Sequence, residues 1–178
     1  MNSTTLLSGA ILIAFAAAQV QPSKPAATPA TMIADALSAA PSSIAAGATV
    51  MGADGKVLRQ GSNGWTCMPD DPATPGRDPM CVDKNGLAWV MALMDHKAPP
   101  AGVVGIAFML AGGSDASNVD PYAVKPSGAW ITTGPHVMLL SAEAAKASGY
   151  PGGAHPDTRK PSVMFEGTPY AHIMLPVK

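Results

Sequence analysis

Four short apolar runs in the later part of the chain change character at every second residue, and that period of two restricts the fold more than any other feature. In residues 103–110, Ile106, Phe108 and Leu110 alternate with Gly105, Ala107 and Met109. In 135–140, Val137 and Leu139 alternate with His136, Met138 and Leu140. In 162–166, Val163 and Phe165 alternate with Met164 and Glu166; in 170–177, Ala171, Ile173, Leu175 and Val177 alternate with Tyr170, His172 and Met174. Successive side chains of a strand point to opposite faces, so each run is a strand with two chemically different sides. One side is aliphatic or aromatic and suits packing beneath helices. The other collects Met109, Met138, Met164 and Met174 with His136 and His172. Pairing the four strands with their aliphatic sides aligned puts the sulfurs and imidazoles on the opposite face of one sheet.

The rest of the chain supplies covers and connections. Asp54-Gly55 between apolar runs at 48–51 and 57–60 predicts an opening hairpin. A helix is expected at 32–39, with Thr31 as cap and Pro41 as stop. Residues 83–96 predict the best helix. Asp83 caps it, and Leu87, Val90, Met91 and Met94 form an apolar stripe widened by Trp89 and Leu93. Ser141 caps a third, 142–148, that ends at Gly149. Residues 62–79, dense in Pro, Gly, Asn and Asp, predict an irregular loop, and 112–128 a second one before a short strand carrying Trp130. Residues 162–166 and 170–177 predict a closing antiparallel hairpin. The expected fold is α+β: a mainly antiparallel β-sheet with one or two helices packed on one face, and a long disulfide-pinned loop.

The first 18 residues have the apolar core and small-residue end (Ala16-Ala17-Ala18) of a secretory signal peptide, with cleavage expected before Gln19. Residues 19–31, rich in Pro and Ala, read as a tether, and 32–178 as a single domain. The expected location is exported, periplasmic or secreted. Export makes Cys67 and Cys81, the two cysteines, a disulfide by default. A formal net charge of -1 with 13% charged residues argues against partners held by charge, nucleic acid or an anionic membrane. No membrane association is expected beyond the signal segment.

The elements with chemistry of their own are His136-Val137-Met138 and His172-Ile173-Met174. Imidazole nitrogen and thioether sulfur are the donors that suit Cu(I). Two His-x-Met pairs on neighbouring strands supply four ligands, His136, Met138, His172 and Met174, with copper the expected cofactor. The His-x-Met element is similar to one found in periplasmic copper chaperones, over three residues in each of two places. Two further readings accompany this one. A ligand- or partner-binding module would use aromatic loops around Trp65, Tyr122 and Trp130. A small hydrolase would use His136 or His172 as base with Glu166 or Asp120 as the orienting carboxylate. For the hydrolase, Ser141 and Ser162 lack a G-x-S-x-G context, and the chain has no P-loop, GxGxxG or HExxH motif.

Overall fold

The structure, a computed structural model, describes residues 28–177. The expected signal segment and residues 19–27 of the expected tether lie outside the described residues. The chain enters with α1 (Pro29–Leu37), so residues 29–31 are a first helical turn rather than tether. Its cap is Thr28, not Thr31. The Thr31 amide donates to the Thr28 hydroxyl, and the Thr28 amide donates to the Thr31 hydroxyl, a reciprocal capping box. Pro29 takes the first helical position, where its missing N–H costs nothing. A single turn, α2 (Ser42–Ala45), follows Pro41.

The opening hairpin is present as β1 (Thr49–Met51) and β2 (Val57–Arg59), with Gly55 at φ 76° in its turn. The 62–79 stretch is not wholly irregular. It contains β3 (Thr66–Met68), parallel to β1, and leads into β4 (Met80–Val82), antiparallel to β3. Cys67 and Cys81 are direct cross-strand partners in that pair and form the expected disulfide. Strands of three residues are too short to leave a readable alternation, which is why the turn-forming residues between them dominate the sequence signal.

Next come α3 (Lys84–Met94), β5 (Gly105–Met109), β6 (Gly113–Asp115), β7 (Ile131–Thr133) and β8 (His136–Leu140). The last elements are α4 (Ala142–Ser148), β9 (Ser162–Met164) and β10 (His172–Pro176). Eight strands form one sheet in the order β2-β1-β3-β4-β5-β8-β10-β9, and β6 with β7 make a separate ribbon. Among the described strands only the β1–β3 neighbours run parallel, so the sheet is mixed and mostly antiparallel. The fold is α+β, as expected.

The helices depart from expectation in number and position. There are four among the described residues, and they cover both faces of the sheet. Ala36 of α1 packs with Val50, Cys67 and Cys81, and Ala145 of α4 packs with Val163, Ala171 and Ile173. Those contacts lie on the aliphatic side. The longest helix, α3, takes the other side. Its Trp89 and Val90 pack with Val82, Ala107, Met138, Leu140, Met164 and Met174. The methionine face is thus a second core, because thioether chains are apolar enough to demand burial of their own.

Two features seat α3 there. A Cβ on Gly105 would stand 2.5 Å from the Gly86 Cα, so helix and strand cross at glycine-to-glycine contact. One oxygen of Asp83 also accepts from the Gly86 amide at 2.7 Å and the Ile106 amide at 3.1 Å. The same carboxylate therefore caps the helix and ties it to β5.

The disulfide closes the loop between β3 and β4 with a sequence separation of 14. Loop-closure entropy gives it about 3 kcal/mol of stabilisation. Replacing the pair, Cys67→Ala with Cys81→Ala, is expected to lower the calorimetric melting point by roughly 6–12 °C. An unchanged melting point would show that the loop is equally confined in the unfolded chain.

Candidate functional site

β5, β8, β10 and β9 lie side by side beneath α3, and their registers place the expected site residues. His136 is opposite Met109 on β5, Met138 is opposite Met174 on β10, and His172 is opposite Met164 on β9. All four expected ligands therefore share one face on adjacent strands. Met109 and Met164, whose alternation placed them on this face, complete the set. Each histidine has one methionine across the ladder and another two residues along its own strand, hence on the same side. His136 is level with Pro176, four positions along β10 from His172. With strand rise and spacing, that puts the two Cα atoms roughly 14 Å apart. The arrangement is two clusters of one imidazole and two thioethers, His136 with Met109 and Met138, and His172 with Met164 and Met174. They adjoin at the Met138–Met174 pair.

The protonation of both histidines follows from their contacts. His136 is 1% exposed and His172 3%. The His136 Nδ1 lies 2.7 Å from the Gly134 carbonyl oxygen, and the His172 Nδ1 lies 3.0 Å from that of Tyr170. A carbonyl only accepts, so each Nδ1 carries the hydrogen and each Nε2 presents a lone pair. Neither Nε2 has a hydrogen-bond partner among the described residues. Burial pushes the His136 pKa below its ordinary value against the opposing effect of the Gly134 bond. Burial also pushes His172 down, to about 4, with His136 adding to the effect. Both rings are neutral at pH 7.

Aromatic side chains enclose His172. Trp89 meets it edge-on with ring centroids 5.3 Å apart, and Phe165 does so at 5.4 Å. Phe165 sits at φ 56°, a left-handed conformation that is uncommon for a bulky residue and costly to hold. On the His136 side, a Cβ on Gly113 would stand 3.2 Å from Met109 Cε and 3.3 Å from His136 Cε1. Glycine at that point of β6 leaves the imidazole its room.

These residues wall a cavity of about 450 Å³. Nine of the ten methionines among the described residues line it: Met51, Met68, Met80, Met91, Met94, Met109, Met138, Met164 and Met174. Asp70, Asp71, Asp78 and Asp115 also border it, and among the described residues no Lys or Arg does. Burial, with the nearby Asp78 carboxylate, pushes Asp115 up to about 6. Burial also raises Asp78, although the Thr74 hydroxyl and the Asp71 amide donate to it. The lining therefore offers sulfur, nitrogen lone pairs and negative charge, a combination that favours cations and disfavours anions.

Among the described residues no group of three or more His, Cys, Asp or Glu is placed to hold a metal ion. A site of the common nitrogen, oxygen and thiolate type is thus not among them, and an ion here would depend on thioethers.

The other sequence-derived candidates are dispersed. Trp65 packs on Phe108, centroids 5.4 Å apart, in the cluster under α1. Tyr122 stacks on His96 at 4.2 Å and donates its hydroxyl hydrogen at 2.8 Å to Tyr170, which packs with Trp89 on the methionine face. Trp130 is half-buried in the loop before β7. The histidine contacts above leave neither ring bonded to a carboxylate, Glu166 and Asp120 included, so no base with an orienting acid is assembled. Sequence reasoning did not place Met51, Met68, Met80 and Asp115 at the site. They reach it from the hairpin, the disulfide-linked strands and the β6 ribbon; an excess of methionine is the sequence trace of the three methionines, and Asp115 has none. No family model, curated protein or solved structure matches this chain.

Proposed function

We propose that this domain binds a soft monovalent metal cation, copper(I), in the methionine-lined cavity. His136 with Met109 and Met138 would form one ligand set, and His172 with Met164 and Met174 a second. The observation that carries this reading is the pair of buried imidazoles, each with Nδ1–H held by a backbone carbonyl and a bare Nε2 in a thioether-lined space. Metal-bound histidine ordinarily has its second nitrogen held in this way. An unsatisfied buried acceptor costs about 1–3 kcal/mol, which a bound cation would offset. Thioether donors select Cu(I) among the metals that imidazole accepts. The Cys67–Cys81 disulfide supports an oxidising location, periplasmic or extracellular, where thiols pair and thioethers remain available as ligands. The domain would hold or pass the ion, with no further chemistry.

The test is anaerobic Cu(I) titration against a competing chelator, with circular dichroism to verify folding of each variant. Wild-type protein is expected to take two equivalents, His136→Ala and His172→Ala one each, and the double variant none. Protons compete for a nitrogen only below its folded pKa, so uptake at the His172 set should hold steady from pH 8 to about 5. A wild-type protein that never competes with the chelator makes the face packing alone. The cavity, at about 450 Å³, would then be examined for a small apolar ligand.

A further inference from the structure

We propose that Met91 and Met94 form an outer acceptor pair through which a soft cation passes from solvent into the cavity, a role that rests on the soft-metal reading above. The packing of α3 leaves these two residues unexplained. Gly86, Trp89 and Val90 are its buried positions, and Leu87 and Leu93 pack against the same core. Met91 and Met94 belong to the apolar stripe in sequence, yet they are 41% and 60% exposed. Positions off the buried stripe of a surface helix are ordinarily polar. These two border the cavity whose inner wall is Met138 and Met174, 6% and 4% exposed.

Their spacing suits a shared ion. Residues three apart on a helix lie on one side, with Cβ atoms about 5–6 Å apart. Each thioether ends a flexible unbranched chain, so the two sulfurs can converge on one cation. A cation bound for the buried nitrogens and sulfurs must leave water or a carrier for a nearly dry site. An exposed pair of the same donor type allows ligand-by-ligand exchange in place of a single costly desolvation. The acidic lining, with no Lys or Arg among the described residues, attracts the same charge. Met51, Met68 and Met80, which also border the cavity, are half-buried, intermediate between exposed Met91 and Met94 and buried Met138 and Met174.

The test uses Ag(I), a redox-inert soft monovalent cation, transferred from a chelator and followed by stopped-flow. Met91→Leu with Met94→Leu keeps apolar bulk and helix preference and removes both sulfurs. The expected result is an equilibrium affinity within about twofold of wild type and a loading rate lower by roughly tenfold or more. Val124→Ala, at an exposed apolar residue that does not line the cavity, is expected to load at the wild-type rate. An unchanged rate in the double leucine variant overturns the proposal. So does an affinity that falls as far as the rate, since the two methionines would then belong to the resting site. Wild-type protein that takes up no Ag(I) at all is a different result, and it overturns the soft-metal reading itself.

Discussion

Trp89→Ala is expected to cost about 3–5 kcal/mol of stability and to raise the pKa of His172 at the same time. Trp89 is 6% exposed and joins α3 to the methionine face of the sheet. Its ring meets His172 at 5.3 Å and Tyr170 at 5.9 Å, both edge-on, so it packs directly against the buried imidazole. Truncation removes that contact and opens space that the rigid sheet cannot refill. Water reaching the ring would weaken the burial that holds His172 near 4 and let its pKa rise toward 6.5. Trp89→Phe separates the two effects. The indole Nε1 is buried with no partner among the described residues, so phenylalanine removes an unsatisfied donor while keeping most of the ring. It is expected to cost about 1–2 kcal/mol and to leave His172 depressed. Urea unfolding gives the stabilities, and NMR titration of the imidazole Cε1 proton gives the pKa. If His172 titrates unchanged in Trp89→Ala, its burial is the work of the sheet and Phe165, and the helix contributes only packing.

How much of this site is legible in the sequence depends on the length of each element. The five-residue strands β5, β8 and β10 are long enough to show their alternation, and from it the face shared by Met109, His136, Met138, His172 and Met174 can be read directly. The covering of that face is a different matter. Its methionines are a liability in water, so the face needs a lid, and nothing in a binary pattern says which helix supplies one. The stripe Leu87, Val90, Met91 and Met94 identifies α3 as amphipathic. The Gly86–Gly105 crossing rotates it so that Gly86, Trp89 and Val90 turn inward and the two methionines turn out. That rotation depends on a contact between residues 19 apart, which no local period records. β3, β4 and β6 are three residues each, below the length at which alternation means anything, and so Met68, Met80 and Asp115 could not be assigned to the cavity in advance. The cysteine spacing had the opposite character. Two cysteines leave one possible pairing within the chain, and β3 and β4 place them directly opposite one another.

The acid response of the protein should come from two opposing titrations in the cavity, and single substitutions should separate them. His172 has a folded pKa of about 4 against an ordinary 6.5. Below pH 6.5 the unfolded chain takes a proton that the native state refuses, so stability falls as pH drops from about 6.5 to about 4, by up to about 3 kcal/mol. Asp115 runs the other way. Its folded pKa is about 6 against an ordinary 3.8, so ionised Asp115 destabilises the native state at neutrality. That penalty, also up to about 3 kcal/mol, is relieved as pH falls from about 6 to about 4. His136, depressed by burial, adds to the first slope, and Asp78, raised by burial, adds to the second. The wild-type protein is therefore expected to keep a nearly level stability between pH 6 and pH 4, although four groups in its cavity titrate abnormally. Asp115→Asn should gain about 2–3 kcal/mol at pH 7 and then lose stability steadily on acidification. His172→Gln should show the reverse slope, becoming more stable as pH falls from 6 to 4. Urea melts of the three proteins at pH 7, 6, 5 and 4 decide the matter. If Asp115→Asn gains nothing at pH 7, the Asp115 carboxylate is solvated and the cavity is wetter at that end than its lining implies. If His172→Gln follows the wild-type curve, the imidazole protonates freely, and the case for a bare nitrogen held ready for a cation fails with it.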